Sequence, residues 1–186
     1  GGLGSDDNRQ FNDIEGRAFI VTQSLKKLKK ADREAAMDDR NWRRLSDKKT
    51  VDINEVKADP SSHMDELYYK EDVYGTKKVP GQLLIVTYSP RYAAYQKKVR
   101  EAQLERAEKM VKSGNVKKQR KNPNDPSRFV KVTSTTSDGE VAEEKSYSID
   151  QEKVDNEAMY DGYYAVCTDL VDDDIKDILT VSEGRW

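Results

Sequence analysis

Two segments read as buried strands from their apolar runs alone. One is Ala18-Phe19-Ile20-Val21-Thr22, just after Gly16; the other is Tyr163-Tyr164-Ala165-Val166-Cys167-Thr168, just after Gly162. Short continuous runs of this kind suit strands covered on both faces. The first is expected to lie centrally in its sheet. Leu83-Leu84-Ile85-Val86, followed by Thr87 and Tyr88, makes the clearest strand of the chain. Phe129 to Thr136 alternates in strand fashion. Ser137-Asp138-Gly139-Glu140 has the composition of a hairpin turn, and the stretch from Glu143 to Asp150 is the candidate partner strand. Tyr68-Tyr69 and Val73-Tyr74 suggest further short strands.

Helical signals alternate with these. Ser5 is a suitable N-cap, with Asp6 and Asp7 in a first turn that favours anions, and predicts a short helix to about Asn12. From Lys26 to Leu45 the positions Leu28, Ala31, Ala35, Trp42 and Leu45 roughly share one stripe, which predicts a single charged amphipathic helix. Residues 46–80 are polar and irregular, with Pro60, Ser61 and Ser62 in a loop. Ser89-Pro90 supplies an N-cap and an N1 proline for a long helix, which runs to about Ser113 and stops at Gly114. Tyr92, Tyr95, Val99 and Ala102 line one face of it and read as core, with Leu104, Ala107 and Val111 continuing beside them. A helix from Asp150 ends near Gly162. Asp172 to Asp174 seat a last helix that carries Ile175, Ile178 and Leu179 inward. The order predicts an α/β or α+β chain with a strand near each end and an excursion between them.

Composition changes this picture in one respect. Of the 186 residues, 35% are hydrophobic and 37% charged, against a usual apolar share of roughly 45–50%. Either much surface is solvated or an apolar face meets other polypeptide. The length suits one moderate domain or two small ones. No apolar run approaches the roughly 18–20 residues of a membrane span, and no secretory signal pattern is present. The single Cys167 has no internal disulfide partner, and a reducing cytoplasm is the expected compartment.

The net charge of −2 hides two opposed blocks. Residues 97–131 hold twelve Lys/Arg and four Asp/Glu; residues 138–186 hold four Lys/Arg and fifteen Asp/Glu. Lys117, Lys118, Arg120 and Lys121, in the loop after the long helix, are the candidate phosphate-tracking patch; such contacts give affinity and not sequence choice. Lys97, Lys98 and Arg100 could extend it, although Glu101, Glu105 and Glu108 point to ordinary intrahelical pairing. His63 has no companion ligands for a metal, Cys167 reads as a small core residue, and the Asp172–Asp174 run reads as a solvated helix start.

Three separated stretches together resemble a known family. They are GLGSDDN at 2–8, LLIVTYSPRYAAYQKKVREAQLERAEKM at 83–110, and YDGYYAVCTDL at 160–170 followed by GRW at 184–186. In order and spacing they resemble bacterial insertion-sequence transposases of the DDE class, in the branch marked by a Y-R-E-K signature. The resemblance implies a ribonuclease H-like core interrupted by a large mixed α/β insertion domain. Residues 1–30 would be the first part of the core, 31–158 the insertion, and 159–186 the return strand and the start of the helix bearing the catalytic Glu. The function implied is DNA cleavage and strand transfer, with DNA at the transposon ends as partner, self-association as a homodimer, and no membrane.

Departures from the family pattern shape the expectation. Arg185 matches the signature Arg, whose implied role is to grip a DNA phosphate; the signature Tyr position falls on Ser182. The catalytic carboxylates would lie just before Gly1 or Gly2, four positions after Arg185, and far upstream. Chemistry of this kind uses two divalent metals about 3.5–4 Å apart, Mg²⁺ or Mn²⁺ in the intact parent. The chain is therefore expected to be an internal piece that holds no metal and is catalytically silent by itself. A non-enzymatic nucleic-acid-binding or protein-interaction module is the alternative, and a degenerate transposase remnant fits the resemblance equally well.

Overall fold

The computed structural model describes residues 4–114, 116, 122, 124–135 and 144–184. In chain order the elements are α1 (Asp6–Asn12), β1 (Ile20–Thr22), α2 (Lys30–Met37), β2 (Arg43–Arg44), α3 (Ile53–Ala58), β3 (Tyr68–Tyr74), β4 (Gln82–Tyr88) and α4 (Pro90–Ser113). They continue with β5 (Val130–Thr135), β6 (Glu144–Ile149), α5 (Gln151–Ala158), β7 (Tyr163–Thr168) and α6 (Ile175–Glu183). The fold is mixed α/β with an antiparallel five-stranded sheet in the order β1-β7-β4-β3-β2 and a separate β5-β6 pair. Two compact units result, Gly1–Tyr92 with Gly162–Trp186, and Ala93–Asp161.

In the first unit β4 is the central strand of the sheet, and all seven of its residues are buried. That explains its unbroken apolar run: neither face meets water. Ile20, Tyr69, Leu83, Ile85 and Val166 form one cluster with Ile175, Ile178 and Leu179 of α6. The anticipated inward positions of α6 are thus the ones used. Asp174 caps this helix by accepting from the Lys176 amide at 2.8 Å, and Ser5 caps α1 by accepting from the Asn8 amide.

Three local expectations change. β1 lies at the edge of the sheet and not in its middle; its sheet partner is β7, and Thr22 is already exposed. The helix expected over 26–45 stops at Met37. Asp38 accepts from the Arg40 amide, Asn41 adopts φ of 63°, and Trp42 turns inward to donate its indole N–H to the Asp38 carbonyl at 2.7 Å. The turn formed by Asp38 and Asn41 therefore outcompetes the helical stripe. Within the irregular stretch 46–80, α3 forms because Asp52 caps it by accepting from the Asn54 amide. Tyr68 to Tyr74 forms one strand in register with Tyr88 to Gln82.

The turn between β3 and β4 depends on Gly75. A Cβ there would sit 2.4 Å from the Pro80 carbonyl oxygen, a backbone atom that cannot step aside. Thr76 closes the same turn by donating its amide to Val79 O and accepting from the Val79 amide at its hydroxyl. Gly75→Ala is expected to destabilise by about 1–3 kcal/mol, the usual cost of overpacking. A chemical-denaturation midpoint equal to that of the parent would contradict the close approach.

The second unit packs α4, α5 and the β5-β6 pair around Ala107, Phe129, Val130 and Val154, with Leu104, Val111, Tyr147 and Ile149 at its margin. Asp150 caps α5, accepting from the Lys153 amide, and Gly114 ends α4 with φ of 64°. The expected inward face of α4 is corrected: Tyr92 and Tyr95 are 41% and 62% exposed, and Val99 and Ala102 are exposed too. The inward face runs through Arg100, Gln103, Leu104, Ala107 and Val111, roughly 115° around the helix at 3.6 residues per turn. Arg100 and Gln103 belong to it because their polar groups find partners. Arg100 makes two 2.6 Å bonds to the Asp161 carboxylate, and the Gln103 carbonyl accepts from Arg128. The hairpin turn expected at Ser137–Glu140 lies outside the described residues.

Candidate functional site

The residues singled out from sequence for DNA contact, Lys117, Lys118, Arg120, Lys121 and Arg185, all lie outside the described residues. The described residues nearest to Arg185 in sequence form the end of α6. There Ser182, buried, and Glu183 help line a cleft of 470 Å³, together with Leu67, Thr87, Ser89 and Tyr164. The cleft is thus framed by the C-terminal end of β4, the N-terminal end of β7 and the last turn of α6. Five of its lining residues, Thr87, Ser89, Tyr92, Tyr164 and Ser182, carry hydroxyl groups. Tyr164 is held by a 2.7 Å hydrogen bond between its hydroxyl and Thr22 Oγ1, which ties the cleft wall to β1.

β1 and β7 are stitched beyond their ladder. Thr168 donates its hydroxyl to Phe19 O at 2.7 Å, and Phe19 donates its amide to Asp169 Oδ1 at 2.8 Å. These residues are 149 and 150 positions apart in sequence. The Asp of the Thr168-Asp169-Leu170 stretch therefore closes the top of the β1–β7 pair.

Beside the same strands lies Arg9. It is 4% exposed although it sits on a short charged helix. Its Nε donates to Gly4 O at 3.1 Å, one terminal nitrogen donates to Gln82 Oε1 at 2.8 Å and the other to Gln23 Oε1 at 2.7 Å. All three acceptors are neutral. Gln82 is oriented in turn by donating to Val79 O at 2.8 Å. Cys167 lies 3.8 Å from Gln23 Oε1, and burial pushes its thiol up to about 11, so it remains a neutral core residue, as its place in the strand suggested.

A second buried cation, Lys70, is 2% exposed. It donates to Ala35 O at 2.7 Å and to Asp38 Oδ1 at 2.6 Å, and its ammonium lies 5.9 Å from the Trp42 ring centre. Burial alone would raise the Asp38 carboxyl. Hydrogen bonds from Lys70 and Arg40 outweigh it and hold Asp38 at about 2.

The other residues weighed in sequence take structural places. His63 Nδ1 lies 2.7 Å from the Tyr68 hydroxyl, and Asp174 pairs with Lys48 besides capping α6. Arg100 is tied to Asp161 and does not extend a basic surface, whereas Lys97 and Lys98 are exposed. Sequence reasoning missed Arg9 and Lys70. Each stands in a charged neighbourhood that reads as solvated, and no local spacing marks either.

Among the described residues no three His, Cys, Asp or Glu side chains come together closely enough to hold a metal ion. They do not fit a two-metal centre. No described helix is long and apolar enough to cross a membrane. No family model, curated protein or solved structure matches the chain.

Proposed function

We propose that this chain is part of a DDE-class insertion-sequence transposase, contributing core elements and an insertion to an enzyme that cleaves and joins DNA. The observation that carries the reading is the pairing of β1 with β7 under α6, with Ile20, Val166, Ile178 and Leu179 in one cluster. The resemblance requires the stretch near residue 20 and the stretch near residue 165 to be neighbours despite the long excursion between them. Adjacent placement of these strands supports a ribonuclease H-like core interrupted by an insertion. Ser182, at the signature tyrosine position, lines the cleft at the end of α6, and Arg185 comes three positions later in the sequence. On this reading the metal-binding carboxylates, and with them Mg²⁺ or Mn²⁺, belong to sequence outside residues 1–186. DNA is the substrate, and pairing of two ends would bring two copies of the enzyme together.

The basic residues Lys117, Lys118, Arg120 and Lys121 are the DNA-tracking element in this proposal. Replacing all four with Ala should weaken duplex binding at least tenfold at low salt. It should also lower the slope of log affinity against log salt by about 3 to 4, near 0.9 for each phosphate that is no longer neutralised. Fluorescence anisotropy across a salt series reads both. Equal binding by parent and variant at low salt would remove DNA tracking from these four residues.

A further inference from the structure

We infer that the cleft at the end of α6 is a binding site for a small organic cation, an ammonium group carried on a flat apolar body. The inference is independent of the transposase reading: every residue it uses lies among the described residues, and the ligand carries no phosphate.

The cleft encloses 470 Å³, within the roughly 300–1,000 Å³ typical of small-molecule sites. Leu67, Tyr92 and Tyr164 give it aliphatic and aromatic walls. Such walls suit a flat hydrocarbon body, and tyrosine rings attract a cation. Three of its hydroxyls are committed within the protein. Thr87 Oγ1 donates to Tyr164 O at 3.4 Å, Ser89 Oγ accepts from the Tyr92 amide at 3.2 Å, and the Tyr164 hydroxyl is bonded to Thr22. Ser182 differs. It is 6% exposed and lines the cleft, yet its hydroxyl has no hydrogen-bond partner among the described residues. A helical serine or threonine commonly bonds the carbonyl four residues back, as Thr180 does to Lys176 O at 2.7 Å. The Ser182 oxygen makes no such bond and is not sealed inside the protein, so it opens on the cleft. Leaving it unpaired there is costly, and a donor in the cleft would complete it.

The charge of that donor follows from its surroundings. Glu183 is exposed at the rim, is the one charged residue lining the cleft, and has no ion pair among the described residues. The carbonyl end of a helix carries partial negative charge, and the last turn of α6 holds no basic residue to offset it. Arg91, next to Tyr92, is turned to Asp65 and to Met64 O. A carboxylate and a helix carbonyl end therefore stand together at the cleft without a described cation. An anion is disfavoured there and a neutral ligand leaves the charge unanswered. An ammonium answers both groups, one N–H to Ser182 Oγ and another to the Glu183 carboxylate, while its apolar body lies along Leu67 and the tyrosine rings.

The test titrates the chain with 2-phenylethylamine and follows backbone amides by proton–nitrogen correlation NMR. 2-Phenylethanol supplies the same body without the charge, and 3-phenylpropionate the opposite charge. The amine should bind with Kd of about 1 mM or tighter. It should shift the amides of Thr87, Gly162, Ser182 and Glu183 and leave those of β5, β6 and α5 in place. The alcohol should bind about fivefold more weakly or worse, Glu183→Gln should cost the amine a similar factor, and the propionate should not bind. Ser182→Ala should weaken the amine about threefold or more, the share of one hydrogen bond. Equal affinity for amine and alcohol, or for parent and Glu183→Gln, overturns the inference. So do shifts centred away from the cleft, an unchanged Kd in Ser182→Ala, or no amine binding up to about 10 mM. Arg185 stands two positions after Glu183 in the sequence, so the titration is repeated with Arg185→Gln. An unchanged Kd is expected; binding that appears only in that variant overturns the site in the natural chain.

Discussion

Trp42→Ala is expected to lower stability by about 3–5 kcal/mol, the range for deleting a large buried aromatic. Trp42 has no exposed surface. Its ring meets Tyr163 edge-on with centres 6.0 Å apart, and Tyr163 continues to Tyr88 at 5.2 Å. Removing the indole would open a void between the α2–β2 turn and the sheet. It would also leave the Asp38 carbonyl without its donor and the Lys70 ammonium without its aromatic neighbour. At about 2–4 °C per kcal/mol for a chain of this size, the melting temperature followed by circular dichroism should fall by about 10 °C. Trp42→Phe should recover part of that, since it restores apolar contact but not the N–H donor. A loss below about 1 kcal/mol for the alanine variant would mean that the indole is not enclosed as described.

Breaking the Lys70–Asp38 pair comes next in size. With Asp38→Ala the ammonium, 2% exposed, keeps only the Ala35 carbonyl among its hydrogen-bond acceptors. Uncompensated buried charges of this kind cost about 3–5 kcal/mol. Adding Lys70→Met to Asp38→Ala should recover most of the loss, because the charge that needed the carboxylate is gone. Four denaturation midpoints complete the cycle; a double variant no more stable than Asp38→Ala would sink the assignment. The pair also sets a pH dependence. Folded Asp38 titrates at about 2 against an ordinary value of 3.8, so its contribution is fully present above pH 3.8 and is lost as pH falls toward 2. The shift corresponds to about 2 kcal/mol. Stability curves at pH 5 and pH 2.5 should therefore differ less in the double variant than in the parent.

The sites differ in how far sequence could reach them. Charge clustering and the family resemblance brought out Lys117, Lys118, Arg120, Lys121 and Arg185, all of which stand outside the described residues. Arg9 and Lys70 were not legible. A lysine or arginine among other charges looks solvated until strands from elsewhere enclose it, and the enclosing groups here lie up to 73 positions away for Arg9 and 35 for Lys70.

What the sequence determined by itself is the set of elements whose signals act within a few residues. Ser5, Asp150 and Asp174 each cap a helix by accepting an amide two or three residues ahead. Ser89-Pro90 starts α4, Gly114 ends it, and the apolar run of β4 needs no partner to be recognised. Only the tertiary structure decided the rest. It set β1 at the sheet edge beside β7, turned Trp42 out of a helix and into the core, and rotated α4 to turn Arg100 and Gln103 inward instead of Tyr95. These outcomes depend on which distant groups are near enough to exclude water or to complete a hydrogen bond. A period along the chain records only that some face will be buried, and not which partner will bury it.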